Sequence, residues 1–239
     1  MQNTSQLYKT IVADSQHWFE TKVLINGNEL TESNLFTVQR NKPGFSGDYP
    51  MVGGALSSTL TITIENLSFQ IPAMAEIQVY CRAFRFTGDT REDSEWIPQG
   101  TYYIDTREFT DAGTIKITAY DAMLKASKTY PDTNHAWPYV DISVVHEIAD
   151  DIGVTVDART DALITASMMI ELPTNYTERE VLQNIASAYV GNFVITDDGK
   201  LLLVPLFGNN DDNWSCNYLA ADDGTSALLF GSEGWFIIV

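Results

Sequence analysis

The chain has 239 residues, 44% of them hydrophobic, with eleven Tyr, eleven Phe and five Trp. That is enough apolar material for a substantial core, and the aromatic share suits half-buried pleated surfaces. Acidic residues outnumber basic ones 32 to 14, a net charge of −18; a polyanion repels phosphate backbones, so sequence-specific nucleic-acid binding is excluded as an expected role.

The charge is uneven. Residues 1–140 hold 16 acidic and 11 basic residues, net −5, whereas 141–239 hold 16 acidic and 3 basic, net −13. No apolar run reaches the roughly 18 residues of a membrane span. The opening MQNTSQLYKTIVADSQ lacks a charged n-region and an apolar h-region, so no signal peptide is expected. Cys81 and Cys216 lie far apart and are read as reduced thiols rather than a disulfide.

Along the chain, residues 8–13, 21–25 and 35–40 are the first strand candidates. The segment 41–54, NKPGFSGDYPMVGG, holds four Gly and two Pro and predicts a loop. In LSSTLTITIE, Leu56, Leu60, Ile62 and Ile64 alternate with Thr59, Thr61 and Thr63, the period of a strand with one buried face. Ile77, Val79, Cys81 and Ala83 repeat that pattern, and GDTREDSE (88–95) reads as a charged turn or excursion. Residues 101–108 and 114–120 form a predicted hairpin across 109–113, with Asp111 and Gly113 as turn formers; Ile115, Ile117 and Ala119 face Tyr102 and Ile104. Asp121 is placed to cap a helical turn containing Ala122, Met123, Leu124 and Ala126, which is expected to cover an open end of the sheet.

The texture changes after Pro131. Residues 141–152 predict a helix with Ile142, Val145, Ile148, Ala149 and Ile152 on one side and Gly153 as its stop. Thr177 and Glu180 make a capping box for a second helix, with Val181, Leu182, Ile185, Ala186 and Tyr189 as its stripe and Gly191 as its end. A hairpin turning at Asp198-Gly199 follows, and then short strands at 227–230 and 235–239 around DDG and GSEG turns. A strand at the very terminus needs a pairing partner, because an unpaired edge is adhesive. The resulting fold class is mainly β with an α+β insertion: an antiparallel β-barrel or sandwich over 1–130, a small helix-plus-hairpin domain over 131–206, and a short β-segment over 207–239.

Reactive constellations are sparse. His17, His135 and His146 lie too far apart for helical or finger-type zinc spacing. His146-Glu147 begins like HExxH, but Asp150 stands at the second His position, and both residues read as the wet face of a helix. Cys81 falls in the buried register of a strand and reads as a small core residue. The GSEG run at 231–234 lacks nucleophile-elbow spacing, and NNDDN (209–213) has Trp214 where a calcium loop needs Gly. Asp105, Glu108 and Asp111, the carboxylates a cell-wall hydrolase reading requires, lie along one hairpin rather than across a cleft. A host-surface or carbohydrate-binding β module is the other alternative; it expects Trp137, Tyr139 or Trp214 exposed along a groove.

WIPQGTYYIDTREF (96–109) followed by GTIKITAYDAMLKA (113–126) resembles the signature of phage and prophage tail hub proteins. These are similar to the baseplate hub of contractile tails and to the N-terminal part of the tail-associated tail-tip protein of non-contractile tails. TLTITIEN (59–66), IPAMAEIQVYCRAF (71–84), the Trp137-Pro138 junction and the stretch 178–206 follow the same pattern, so the likeness covers 59–206. It implies a non-enzymatic virion tail component assembled in the bacterial host cytoplasm, with no catalytic, cofactor-binding or metal residues and no cofactor. It also implies a homotrimeric ring that caps the hexameric tail tube or meets a distal tail protein and holds a spike or fibre. Two similar barrels per subunit and a DNA-conducting lumen belong to that picture, and acidity suits a lumen that must not grip DNA. The 32 residues from 208 to 239 suffice only to begin a second barrel.

Overall fold

A computed structural model of the chain describes residues 4–30, 34–45, 51–65, 71–110, 113–131, 136–165, 168–206, 228–230 and 236–238. Residues 4–131 contain α1 (Gln6–Val12), β1 (Trp18–Ile25), β2 (Asn28–Glu29), β3 (Leu35–Asn41), β4 (Gly54–Ala55), β5 (Thr59–Glu65), β6 (Glu76–Thr87), β7 (Thr90–Asp93), β8 (Ile97–Phe109), β9 (Thr114–Tyr120) and a 3-10 turn, Ala122–Ser127. Residues 139–205 add β10 (Tyr139–Val140), α2 (Asp141–Ile152), β11 (Thr155–Val156), α3 (Ala158–Leu163), β12 (Met169–Ile170), α4 (Glu178–Ala188), β13 (Gly191–Ile195) and β14 (Lys200–Pro205).

Period-two alternation builds the main sheet. Its order is β2-β1-β6-β8-β9-β5-β3 with β7 added on β6, and every one of these pairs is antiparallel. Leu60, Ile62 and Ile64 of β5 are fully buried between half-buried threonines. They meet Val23, Ile77, Tyr102, Ile104 and Ile117 on the concave side. Each such side chain contributes roughly 1.5–3 kcal/mol on burial. The path has two ends, β2 and β3, so the expected barrel is a half-barrel curled around one core.

Two sequence expectations are corrected here. Residues 8–13 are not a strand: they lie in α1 and its C-cap, because the Ser5 hydroxyl caps Tyr8 N–H at 3.0 Å and Ile11 is buried one turn later. The run of β-branched residues favours a strand locally, but packing against β6 overrides that weak preference. The excursion at 88–95 contains a further strand, β7, which doubles back on β6 with Phe84 opposite Asp93 and Thr87 opposite Thr90.

The second layer follows its local signals closely. Gly153 closes α2 in the left-handed conformation (φ 79°), where a Cβ is disfavoured. Thr177 and Glu180 form the reciprocal capping box of α4. That helix ends at Ala188, and the left-handed residue before β13 is Val190 (φ 51°), not Gly191, which is the first residue of the strand. A mixed sheet, β11-β14-β13-β4, forms beneath, with β11 parallel to β14 and β4 parallel to β13. The core of this layer joins Val145, Ile148, Ile185 and Phe193 to Ala55, Met123, Ala126 and Tyr130. The turn after Asp121 is therefore part of the second core. Met1–Val204 forms one compact unit.

Asn192 fastens the chain at Met51–Gly54 to that sheet. Its Oδ1 accepts from Gly54 N–H at 2.7 Å, and its Nδ2 donates to Met51 O at 2.7 Å. Gly53, at φ 81°, leaves no room for a Cβ against the Ser187 side chain. Gly53→Ala is expected to cost about 2 kcal/mol, from strain at positive φ and displacement of Ser187; urea unfolding monitored by Trp fluorescence measures it.

Pro205–Val239 forms a second, small unit. Within it β15 (Leu228–Phe230) pairs antiparallel with β16 (Phe236–Ile238), so the terminal strand finds its partner in its own unit. The DDG and GSEG turns, Asn209–Asn213, Trp214 and Cys216 lie outside the described residues, as do Asp111 and His135.

Candidate functional site

The residues weighed for chemistry do not converge. His17 Nδ1 lies 2.7 Å from Asp14 O, and its ring meets Phe19 edge-on. His146 pairs with Asp161 at 2.7 Å on an exposed surface, and Glu147 accepts from the Tyr130 hydroxyl at 2.8 Å. Asp105 and Glu108 are exposed on β8, with Glu108 3.8 Å from Lys116. Cys81 is half-buried rather than fully buried, since it sits near the end of the concave face beside α1; burial pushes its thiol pKa up, away from the reactive thiolate. Among the described residues no group of three or more His, Cys, Asp or Glu side chains is placed to hold a metal ion. Trp137 and Tyr139 are half-buried and packed edge-to-face with each other and against the second core, with Tyr130 beyond, so they do not line an open groove.

Buried carboxyls serve the fold. Asp121 accepts from Ser58 N–H at 2.7 Å, Ser57 Oγ at 2.8 Å and Met123 N–H at 3.1 Å, joining the sheet to the 3-10 turn. Burial holds its pKa up despite those donors. Asp157 caps α3 through Arg159 N–H at 3.0 Å, and the Arg159 guanidinium holds its pKa down to about 2. Glu178 is fully buried at the start of α4, with Lys128 Nζ 3.9 Å away and Asp151 alongside; burial first, and Asp151 second, push its pKa up to about 8.

The most organised exposed surface is the convex face of β1, β6 and β7. Trp18 stands opposite Phe84 in register and stacks on it at 5.8 Å, and Phe86 meets both rings edge-on. Trp18 is 46% and Phe86 50% exposed. Arg91 lies 4.0 Å over Phe84 while pairing with Asp93 and Glu20. Arg82 reaches the same two carboxylates and covers Trp96 at 4.4 Å. Lys22 lies over Trp96 at 4.6 Å and Tyr80 at 5.1 Å, with no carboxylate partner among the described residues. Sequence reasoning followed only the buried register of β6. The outward register, Tyr80-Arg82-Phe84-Phe86, was legible as its complement.

A shallow apolar groove of about 350 Å³ lies between α4 and residues 168–173, lined by Met169, Leu172, Tyr176, Val181 and Ile185. Asp141 at its margin is buried, and its carboxylate accepts from the Tyr189 hydroxyl.

No protein-family model matches the chain, and no curated protein matches it. Solved structures do. A tail protein from Neisseria meningitidis MC58 superposes on 77% of this chain and 51% of its own, with 11% identity and a TM-score of 0.50. The fold is what the two share. Prophage tail protein gp18 from Listeria monocytogenes EGD-e superposes on 81% of this chain and 53% of its own, with 10% identity and a TM-score of 0.45. The chain thus spans about half the length of each.

Proposed function

We propose that this chain is a structural component of a phage or prophage tail. In this reading it is a hub subunit that joins the tail tube to the tail tip or baseplate by assembling into a ring with copies of itself. The observation that carries the reading is the fold shared with the Neisseria tail protein over 77% of the chain. The sequence resemblance over 59–206 points the same way. The role is non-enzymatic: the described carboxylates act as caps, clasps and surface ion pairs. The proposed partners are two further copies of the chain, the tail-tube or distal tail protein above and a spike or fibre below. The setting is the virion tail, built in the host cytoplasm. A net charge of −18 suits a passage that DNA must traverse without sticking.

The test mixes purified chain with the tail-tube protein of the same phage or prophage. Multi-angle light scattering and negative-stain electron microscopy are expected to show a ring seated on the tube end. A chain that stays monomeric and leaves the tube protein unaltered rules the hub out.

A further inference from the structure

On the convex face of β1, β6 and β7, the local charge balance departs from the acidic average of the chain, and aromatic rings are exposed together. Between Phe86 and Lys22 this face carries Lys22, Arg82 and Arg91 against Glu20 and Asp93, a net of +1 in a chain of −18. Further carboxylates, Glu29 and Glu76 beyond Lys22 and Asp89 beyond Phe86, stand at its two ends. Arg82 and Arg91 lie over the Trp96 and Phe84 rings while paired with Glu20 and Asp93, so the face presents exposed aromatic rings beside ion-paired cations. The surface of α2 and α3 has the opposite character. Glu147, Asp150, Asp151, Asp157 and Asp161 face two cations, Lys128 and Arg159, and Asp150, Asp151 and Asp161 are exposed.

We infer that the convex β1-β6-β7 face docks on the acidic α2-α3 surface of a second copy of this chain. The inference rests on the hub reading and gives its self-assembly a specific pair of surfaces. Complementary charge selects the partner: the chain is itself acidic, so contact between most other patches of two copies brings like charges together. The exposed rings of Trp18 and Phe86 supply the apolar contact, with Lys22 and Arg91 at its rim. Two different surfaces in contact make a head-to-tail interface, the kind that closes into a ring when the rotation between copies allows it.

Light scattering of the full chain over a concentration series tests this. The wild-type mass is expected to rise above the 26.6 kDa monomer and to fall back as salt is raised. Phe86→Ser, Lys22→Glu and Asp150→Lys/Asp161→Lys are each expected to weaken self-association about tenfold or more. Because both surfaces lie on one chain, combining Lys22→Glu with Asp150→Lys/Asp161→Lys is expected to recover part of the loss. Circular dichroism and Tm confirm that each variant is folded, since none of the substituted side chains belongs to either core. Variants that associate like wild type, or a wild type that is monomeric at every concentration, overturn this pair of surfaces. The hub reading is then judged separately by the tube-protein mixture. Loss of tube binding with self-association intact in Phe86→Ser assigns the face to the tube protein and equally overturns the inference.

Discussion

Asp121→Ala is expected to lower the unfolding free energy by about 3–4 kcal/mol, the larger part of it from two backbone amides left without acceptors. The carboxylate is 3% exposed and accepts three hydrogen bonds, from Ser58 N–H, Ser57 Oγ and Met123 N–H. It ends β9, meets the strand entering β5 and caps the 3-10 turn, so one side chain ties the main sheet to the second core. Losing the cap alone costs about 1 kcal/mol. Orphaning a buried amide costs about 1–3 kcal/mol more. Part of this is returned, because burial already holds the Asp121 pKa up, which means the charge is imperfectly solvated. Asp121→Asn separates the contributions. It keeps one acceptor oxygen and turns the other into a donor, and it removes the anion near the half-buried Arg179 guanidinium. A loss for Asn midway to that of Ala assigns the effect to hydrogen bonding, whereas equal losses assign it to the charge. Urea unfolding with an unchanged m-value is the measurement. A loss for alanine below about 1 kcal/mol contradicts the account.

Asp121 also shows what the sequence carries and what it leaves out. Its position, one residue past a period-two strand and before Ala-Met-Leu-Lys-Ala, announces a cap, and the structure has it. The capping box at Thr177, the stop at Gly153 and the positive-φ glycine of the 198–199 turn are equally local, and all were readable. What could not be read is set by contacts distant in sequence. The helix at Gln6–Val12 depends on Ile11 finding β6 some seventy residues later. The parallel pairing of β4 with β13 joins Gly54 to Asn192 across five strands of the main sheet and the helices α2, α3 and α4, with a two-residue strand too short to show a period. That Ala122–Tyr130 belongs with the helices rather than with the sheet it follows is likewise a packing fact. The candidate surface fell between the two cases: its rings were visible as the outward register of β6, but the pairing of Trp18 with Phe84 needed the β1-β6 register.

Glu178→Gln is expected to leave stability nearly unchanged at pH 4–5 and to raise it by about 2–3 kcal/mol over wild type at pH 9. The helix N-terminus at Glu178 favours an anion. Complete burial and the neighbouring Asp151 carboxylate outweigh that, and the pKa stands at about 8 instead of the ordinary 4.5. At neutral pH Glu178 therefore keeps its proton beside Asp151, whose own pKa is held down by that neighbour and by Lys128. The direction of the pH dependence follows. Below the ordinary glutamate range both folded and unfolded chains hold the proton, and the contribution is complete. As pH rises from about 4.5 towards about 8, the unfolded chain releases its proton while the folded chain retains it, so stability falls. Above about 8 the folded chain carries two adjacent carboxylates with Lys128 between them. Glutamine keeps the shape and a donor towards Asp151 but never ionises, so the wild-type slope over this window should flatten in the variant. Other titrating groups add the same slope to both proteins, and the difference between the two curves isolates Glu178. Parallel curves across pH 5–9 would mean that the carboxyl is ionised in the folded chain and that Lys128 alone compensates it. Glu178→Ala distinguishes packing from titration: it removes the donor and leaves a void at the start of α4, so it should destabilise at pH 5, where glutamine does not.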